Sequence, residues 1–147
     1  MPMIMKRLNV ISRCQSLFRG KHTDVELCPC QHTFVLAICR APGRSQEELA
    51  RDICLSKSAV ARALSDLEKK GYVTRTRGEA DKRELLIFPT EKMTAALPYV
   101  RALTKEWNET ITEGISQKDL AVFEATLAKM EQNARAALFG KEKGSAG

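Results

Sequence analysis

"SQEELARDICLSKSAVARALSDLEKKGYVTR", residues 45–75, reads as two short helices with almost nothing between them. Ser45 followed three residues later by Glu48 forms a capping box, in which each side chain can bond a free backbone N–H of the first turn. A second helix begins after Ser56 and stops at Gly71. Only Cys54 and Leu55 separate the pair. Leu49, Ala50 and Ile53 recur on one side of the first helix, and Val60, Leu64 and Leu67 on one side of the second. Leu55 is expected to fill the turn, and the small Ala50 lets the helix axes approach closely. Such a helix–turn–helix presents the N-terminal end of its second helix outward. That end carries Ser56, Lys57, Ser58, Ala61 and Arg62, and its geometry suits the DNA major groove.

Downstream, "YVTRT" and "ELLIF" are strand-like runs joined by a polar, Gly-bearing turn, which predicts a β-hairpin. An isolated hairpin is marginal in water, so it must lean on the two helices as a wing. Residues 74–88, "TRTRGEADKRELLIF", place Arg75, Arg77, Lys82 and Arg83 around the turn. A basic finger beside a recognition helix suits the narrow, negative minor groove. Asp81 repels phosphate, so its expected task is to orient the Arg83 guanidinium through a bidentate pair.

Upstream, apolar residues from Ile4 to Phe18 have helical spacing. Pro29 is placed to open the next helix, with an unbroken apolar run at Phe34–Ile38 that "APGR" ends. Thr90 is expected to cap a helix reaching about Gly114, kinked or reset by Pro98. Ser116 and Asp119 open a last helix with Leu120, Phe123, Leu127, Met130 and Ala134 on one face. The terminal helices show no obvious core in common with residues 30–90, so their apolar faces need each other or a second chain. The fold class is mainly α with a small β-hairpin wing. The expected organisation is an N-terminal dimerisation helix and loop (1–27), a winged helix-turn-helix lobe (28–89, wing 72–89), C-terminal dimerisation helices (90–139) and a disordered tail (140–147).

Composition agrees with a DNA partner. Of the net charge of +6, residues 1–23 hold +5 and residues 56–83 hold +4, while residues 24–55 and 84–147 are mildly acidic. Two separated basic segments suit an anionic polymer better than a small acidic ligand. No apolar run approaches the roughly 20 residues that span a bilayer. The opening "MPMIMKRLNVIS" has no signal-peptide pattern, so a cytoplasmic protein without a membrane partner is expected.

These stretches resemble the MarR family of winged-helix repressors over roughly residues 28–138. The match is carried by residues 45–75 and by "EADKRELLIFPTEK" (79–92). Its most specific piece is the Asp81-Lys82-Arg83 of the wing. The resemblance implies an obligate homodimer whose two lobes bind a pseudo-palindromic operator, and release by a small-molecule effector. It puts DNA contacts at Ser56, Lys57, Ser58, Arg62, Asp81 and Arg83. Ala61 departs from the family's usual threonine, and the loop between the first two helices is several residues shorter than usual.

The five cysteines, Cys14, Cys28, Cys30, Cys39 and Cys54, are an odd set in a reducing compartment and predict no disulfide framework. Cys14, Cys28 and Cys30 are candidates for thiol sensing, whereas Cys39 and Cys54 read as small buried hydrophobes. Cys28, Cys30, His32 and His22 form a weak metal candidate, since their spacings fit no common ligand pattern. No metal, cofactor or enzymatic activity is expected: there is no Gly-rich phosphate loop, no zinc-protease His pair, and no Cys–His set with an orienting partner. The competing readings are a thiol- or metal-sensing regulator of the same fold and a winged-helix protein-interaction module that does not bind DNA.

Overall fold

The computed structural model describes residues 2–22 and 26–140. The chain divides into two compact units, residues 1–107 and 108–147. The first unit opens with α1 (Ile4–Gly20) and a 3-10 turn (Pro29–Gln31) that leads into α2 (His32–Arg40). Then come β1 (Arg44–Ser45), α3 (Gln46–Ile53), α4 (Lys57–Lys69), β2 (Val73–Arg77) and β3 (Leu85–Pro89). Helix α5 (Glu91–Ile111) runs past the unit boundary, and α6 (Gln117–Phe139) lies in the second unit.

Helix ends follow the caps read from sequence. Ser45 Oγ accepts the Glu48 N–H at 3.1 Å, Ser56 Oγ that of Ala59 at 3.2 Å, and Ser116 Oγ that of Asp119 at 3.1 Å. At the end of α4 the Tyr72 N–H donates to Leu67 O and the Gly71 N–H to Glu68 O. This reciprocal closure requires the left-handed φ of 83° that Gly71 adopts without steric cost. Pro98 sits inside α5 without ending it, and the helix stops three residues short of Gly114.

The core is one cluster. Phe34, Val35 and Ile38 of α2 meet Leu49 and Ala50 of α3 and Val60, Leu64 and Leu67 of α4. Val73 and Ile87 fix the two wing strands to them. Met93, Ala96 and Val100 of α5 belong to the same cluster. The expectation that residues beyond 90 stand apart from this core is therefore corrected: the first three turns of α5 are part of it. Helices α1 and α6 contain no buried residue.

Three further features differ from the sequence reading. The sheet has three strands, not two, in the order β1-β3-β2, with Arg44 opposite Ile87 and Ser45 opposite Leu86. Leu55 does not fill the turn but stands exposed. Cys54 is exposed rather than buried, and takes a left-handed conformation (φ 54°) at the end of α3. That conformation costs a side-chain-bearing residue about 1–2 kcal/mol. It gives the chain the abrupt reversal that a three-residue connection (54–56) demands. The tail expected to be disordered lies outside the described residues beyond Gly140.

Candidate nucleic-acid interface

The first turn of α4 concentrates free N–H groups and the positive end of the helix dipole. Ser56 spends its hydroxyl on the Ala59 N–H and lies 3.3 Å from Ser58 Oγ. Lys57 is exposed and pairs with Glu47 of α3 at 3.1 Å. Arg62, one turn further along, is exposed beside Ala61. A shallow groove of about 340 Å³ runs along this face between Arg62, Asp66 and Lys69.

The wing tip is held by its own backbone. The Gly78 N–H donates to Glu84 O, the Glu84 N–H to Asp81 O, and Arg77 Nη1 to Lys82 O at 3.0 Å. A Cβ on Gly78 would sit 2.8 Å from Asp81 O, so the turn closes only with glycine there. Asp81 and Arg83 meet as expected but not as a bidentate pair. One oxygen, Oδ1, accepts both the Arg83 backbone N–H at 3.0 Å and its Nε–H at 3.3 Å. The Arg83 side chain is 92% exposed. A cleft of about 440 Å³ between α3, α4 and the wing has Lys57 and Arg83 among its lining residues, along with Glu47, Asp81 and Glu84. Helix end and wing thus share one cavity wall. The sequence reading did not single out Glu47 and Glu84, which give that wall its acidic component.

Arg75 is not part of this display. Its side chain is 18% exposed, with Nε and Nη2 on the Glu68 carboxylate at 3.3 and 3.2 Å, Nη2 on Ser65 Oγ at 3.2 Å and Nη1 on Gln46 Oε1 at 3.4 Å. It ties β2 to α4 and α3, and the Arg75 hydrogen bonds hold the Glu68 carboxyl below its ordinary range. The structure corrects its expected place: the fold occupies this guanidinium. Lys82 is exposed at the tip.

Cys14, Cys28 and Cys30 are exposed, and Cys39 is half-buried with its thiol pushed up by burial. His22 Nδ1 lies 2.9 Å from Phe18 O, and its ring packs 4.8 Å from that of Phe18. His32 is buried at the head of α2. Among the described residues, no group of three or more His, Cys, Asp or Glu is arranged to hold a metal.

Nδ1 of His32 has no hydrogen-bond partner among the described residues. Burial, and then the positive charge of Arg19, lower its pKa. An unfolded histidine titrates near pH 6.5. The folded form resists the proton, so below about pH 6.5 the unfolded state binds more of it. Stability is therefore full above that pH and falls as pH falls. The carboxyls of Asp66 and Glu68, held low in the fold, lose their contribution only below the ordinary carboxylate range, near pH 4. Thermal melts between pH 7 and 5 are expected to show a falling Tm, as unfolding free energy is lost at up to about 1.4 kcal/mol per pH unit. In His32→Leu that fall is expected to flatten. A slope that survives the substitution assigns the acid sensitivity elsewhere.

Comparison with known proteins agrees with this geometry. Residues 29–84 match the model of the MarR family. The chain is 27% identical over 131 residues to YybA of Bacillus subtilis (strain 168), described as an uncharacterized HTH-type transcriptional regulator, spanning 88% of this chain and 87% of that protein. A MarR transcriptional regulator from Methanosarcina mazei Go1 superposes with a TM-score of 0.83 at 27% identity, covering 89% of this chain and 95% of that one. A putative MarR family regulator from Listeria monocytogenes, solved with a 26mer DNA, shares the fold with a TM-score of 0.88 at 24% identity, over 98% and 97% of the two chains. No helix among the described residues is long and apolar enough to cross a membrane. By its helix–turn–helix, its wing and these likenesses, the chain resembles the MarR family of winged-helix transcriptional regulators, whose family model matches residues 29–84.

Proposed function

We propose that the protein is a dimeric DNA-binding transcriptional repressor, released from a pseudo-palindromic operator by a small-molecule ligand. The observation that carries this reading is the shared wall of the interface cleft. Lys57 at the start of α4 and Arg83 at the wing tip face the same space, both exposed and each paired to one acid among the described residues. Exposed pairs of this kind are worth little and are readily exchanged for phosphate. Helix α4 enters the major groove N-terminus first, with Ser58 and Arg62 toward base edges. The wing reaches the flanking minor groove through Arg83 and Lys82. The apolar faces of α1 and α6 supply the dimer contact, and two-fold symmetry sets the recognition helices one DNA turn, about 34 Å, apart. An effector that favours another spacing lowers operator affinity by linkage.

Titration of the full chain onto its own promoter fragment, and onto an unrelated duplex of equal length, at two salt concentrations tests the reading. The promoter is expected to bind at least about a thousandfold more tightly, and both affinities should fall steeply with salt. Weak, salt-insensitive and equal binding to both duplexes would identify a winged-helix interaction module instead.

A further inference from the structure

We propose that Gln31 is the positioning residue that sets the attitude of the recognition helix, fixing its C-terminal end to the head of α2 while Lys92 fixes the same end to α5. This inference rests on the DNA-binding reading above.

Gln31 is 4% exposed, yet its amide is engaged on both sides. Its Oε1 accepts the Cys28 backbone N–H at 3.0 Å and a proton of Lys70 Nζ at 3.3 Å, and its Nε2 donates to Asp66 Oδ2 at 2.5 Å. Asp66 and Lys70 are paired with each other at 3.0 Å across one turn of α4. From the other side, Lys92 Nζ donates to the Lys70 carbonyl at 2.6 Å and to Glu26 at 3.1 Å, and sits 4.6 Å over the Tyr72 ring. Thr90 Oγ1 donates to Gly71 O at 2.6 Å and lies 3.0 Å from Tyr72 O. The last turn of α4 and the residues just after it are thus gripped from two segments, the 3-10 turn at Gln31 and the start of α5 at Thr90 and Lys92.

The apolar contacts of α4 cannot do this alone. Val60, Leu64 and Leu67 are buried on one side, but hydrophobic burial is non-directional and tolerates small rolls and tilts. Charge-assisted hydrogen bonds have fixed lengths and angles, and so resist both. The N-terminal end must stay open to its target, which leaves the C-terminal end as the place to hold. Leverage makes the hold matter. The helix is about 20 Å long at 1.5 Å per residue. A tilt of about 10° about its C-terminal end therefore moves the first turn by about 3 Å, as far as a hydrogen bond is long.

The test uses full-length Gln31→Met, which keeps the volume and removes the bonds, with Lys92→Met and Lys92→Arg. Affinity is measured for the promoter fragment and for an unrelated duplex across a salt series. Gln31→Met is expected to weaken promoter binding about tenfold, the size of one lost base contact. The unrelated duplex should be held with unchanged affinity and salt slope, because every phosphate-facing cation is intact. Lys92→Met, at an exposed position, is expected to lose promoter affinity selectively, and Lys92→Arg to retain it. A merely structural role would reduce the folded fraction and weaken both duplexes alike. That result, or unchanged promoter affinity in Gln31→Met and Lys92→Met, overturns the inference. Should Gln31→Met fail to fold, Lys92→Met decides by the same criterion. A wild-type protein with no salt-dependent hold on either duplex overturns the DNA-binding reading itself, and this one with it.

Discussion

The double variant Arg62→Ala, Arg83→Ala is expected to lose at least about a hundredfold in promoter affinity while melting at the wild-type temperature. Both side chains are exposed, and among the described residues Arg83 is tied to Asp81, two residues before it. Exposed ion pairs contribute at most about 1 kcal/mol to stability, and often nothing, so the fold has little to lose. Against DNA the balance reverses. A good base-edge contact is worth about 1–3 kcal/mol, and a factor of ten corresponds to about 1.4 kcal/mol. Two such losses per lobe, repeated in a second copy, exceed a hundredfold. If either arginine sits on phosphate instead, the salt slope also drops by about one per contact. Arg75→Ala is the contrast within the same wing: it removes the bonds to Glu68, Ser65 and Gln46. It is expected to lower the melting temperature first and DNA affinity only as the folded fraction falls. Promoter titration beside a thermal melt separates the two behaviours. Wild-type promoter affinity in the Arg62, Arg83 double variant removes the wing and recognition helix from the interface.

The difference between Arg75 and Arg83 was legible in the sequence through the two-residue period of a strand. Positions 73, 75 and 77 share one face of β2. Val73 buries that face, so Arg75 is drawn in with it, toward Ser65 and Glu68 on the adjoining side of α4. Charge alone marks Arg75, Arg77, Lys82 and Arg83 as equivalent; the strand period puts Arg75 next to buried Val73, while Arg83 lies in the turn, where no period applies. The helix–turn–helix was legible because two caps and six apolar positions all specify the same register. Strand β1 was not. Two residues carry no period, and Arg44 and Ser45 join the sheet through backbone bonds to β3, to which side-chain type is nearly blind. Cys54 misled for a different reason. Its type favours burial, but its position in a three-residue turn demands a left-handed backbone, and position prevailed. The Gln31 junction escaped notice because its partners lie 35 and 39 residues away. No local pattern links a glutamine to a distant aspartate and lysine.

Phe123→Asp is expected to convert the proposed dimer to a monomer and, by doing so, to cost more operator affinity than any single interface arginine. Helix α6 is a 23-residue helix without one buried residue, and Phe123 is 52% and Leu138 76% exposed. Leu120, Phe123, Leu127 and Met130 follow one another at spacings of three and four, so they form a stripe of coiled-coil type. An apolar stripe of that length left in water invites association, and in the proposed dimer a second copy of the chain would cover it with two-fold symmetry. Burying one phenylalanine contributes about 1.5–3 kcal/mol. Symmetry counts the substitution twice, and a carboxylate in its place adds a desolvation cost. The dimer dissociation constant should therefore rise by at least about a hundredfold, since each 1.4 kcal/mol is a factor of ten. A monomer grips one half-site and forfeits the effective concentration, on the order of millimolar, that its partner lobe supplied. Sedimentation of the purified variant gives the first readout and promoter titration the second. A variant that still sediments as a dimer places the contact on another face. A wild-type protein that sediments as a monomer removes the two-lobed grip on a palindrome altogether, because two recognition helices on separate molecules have no fixed spacing to present.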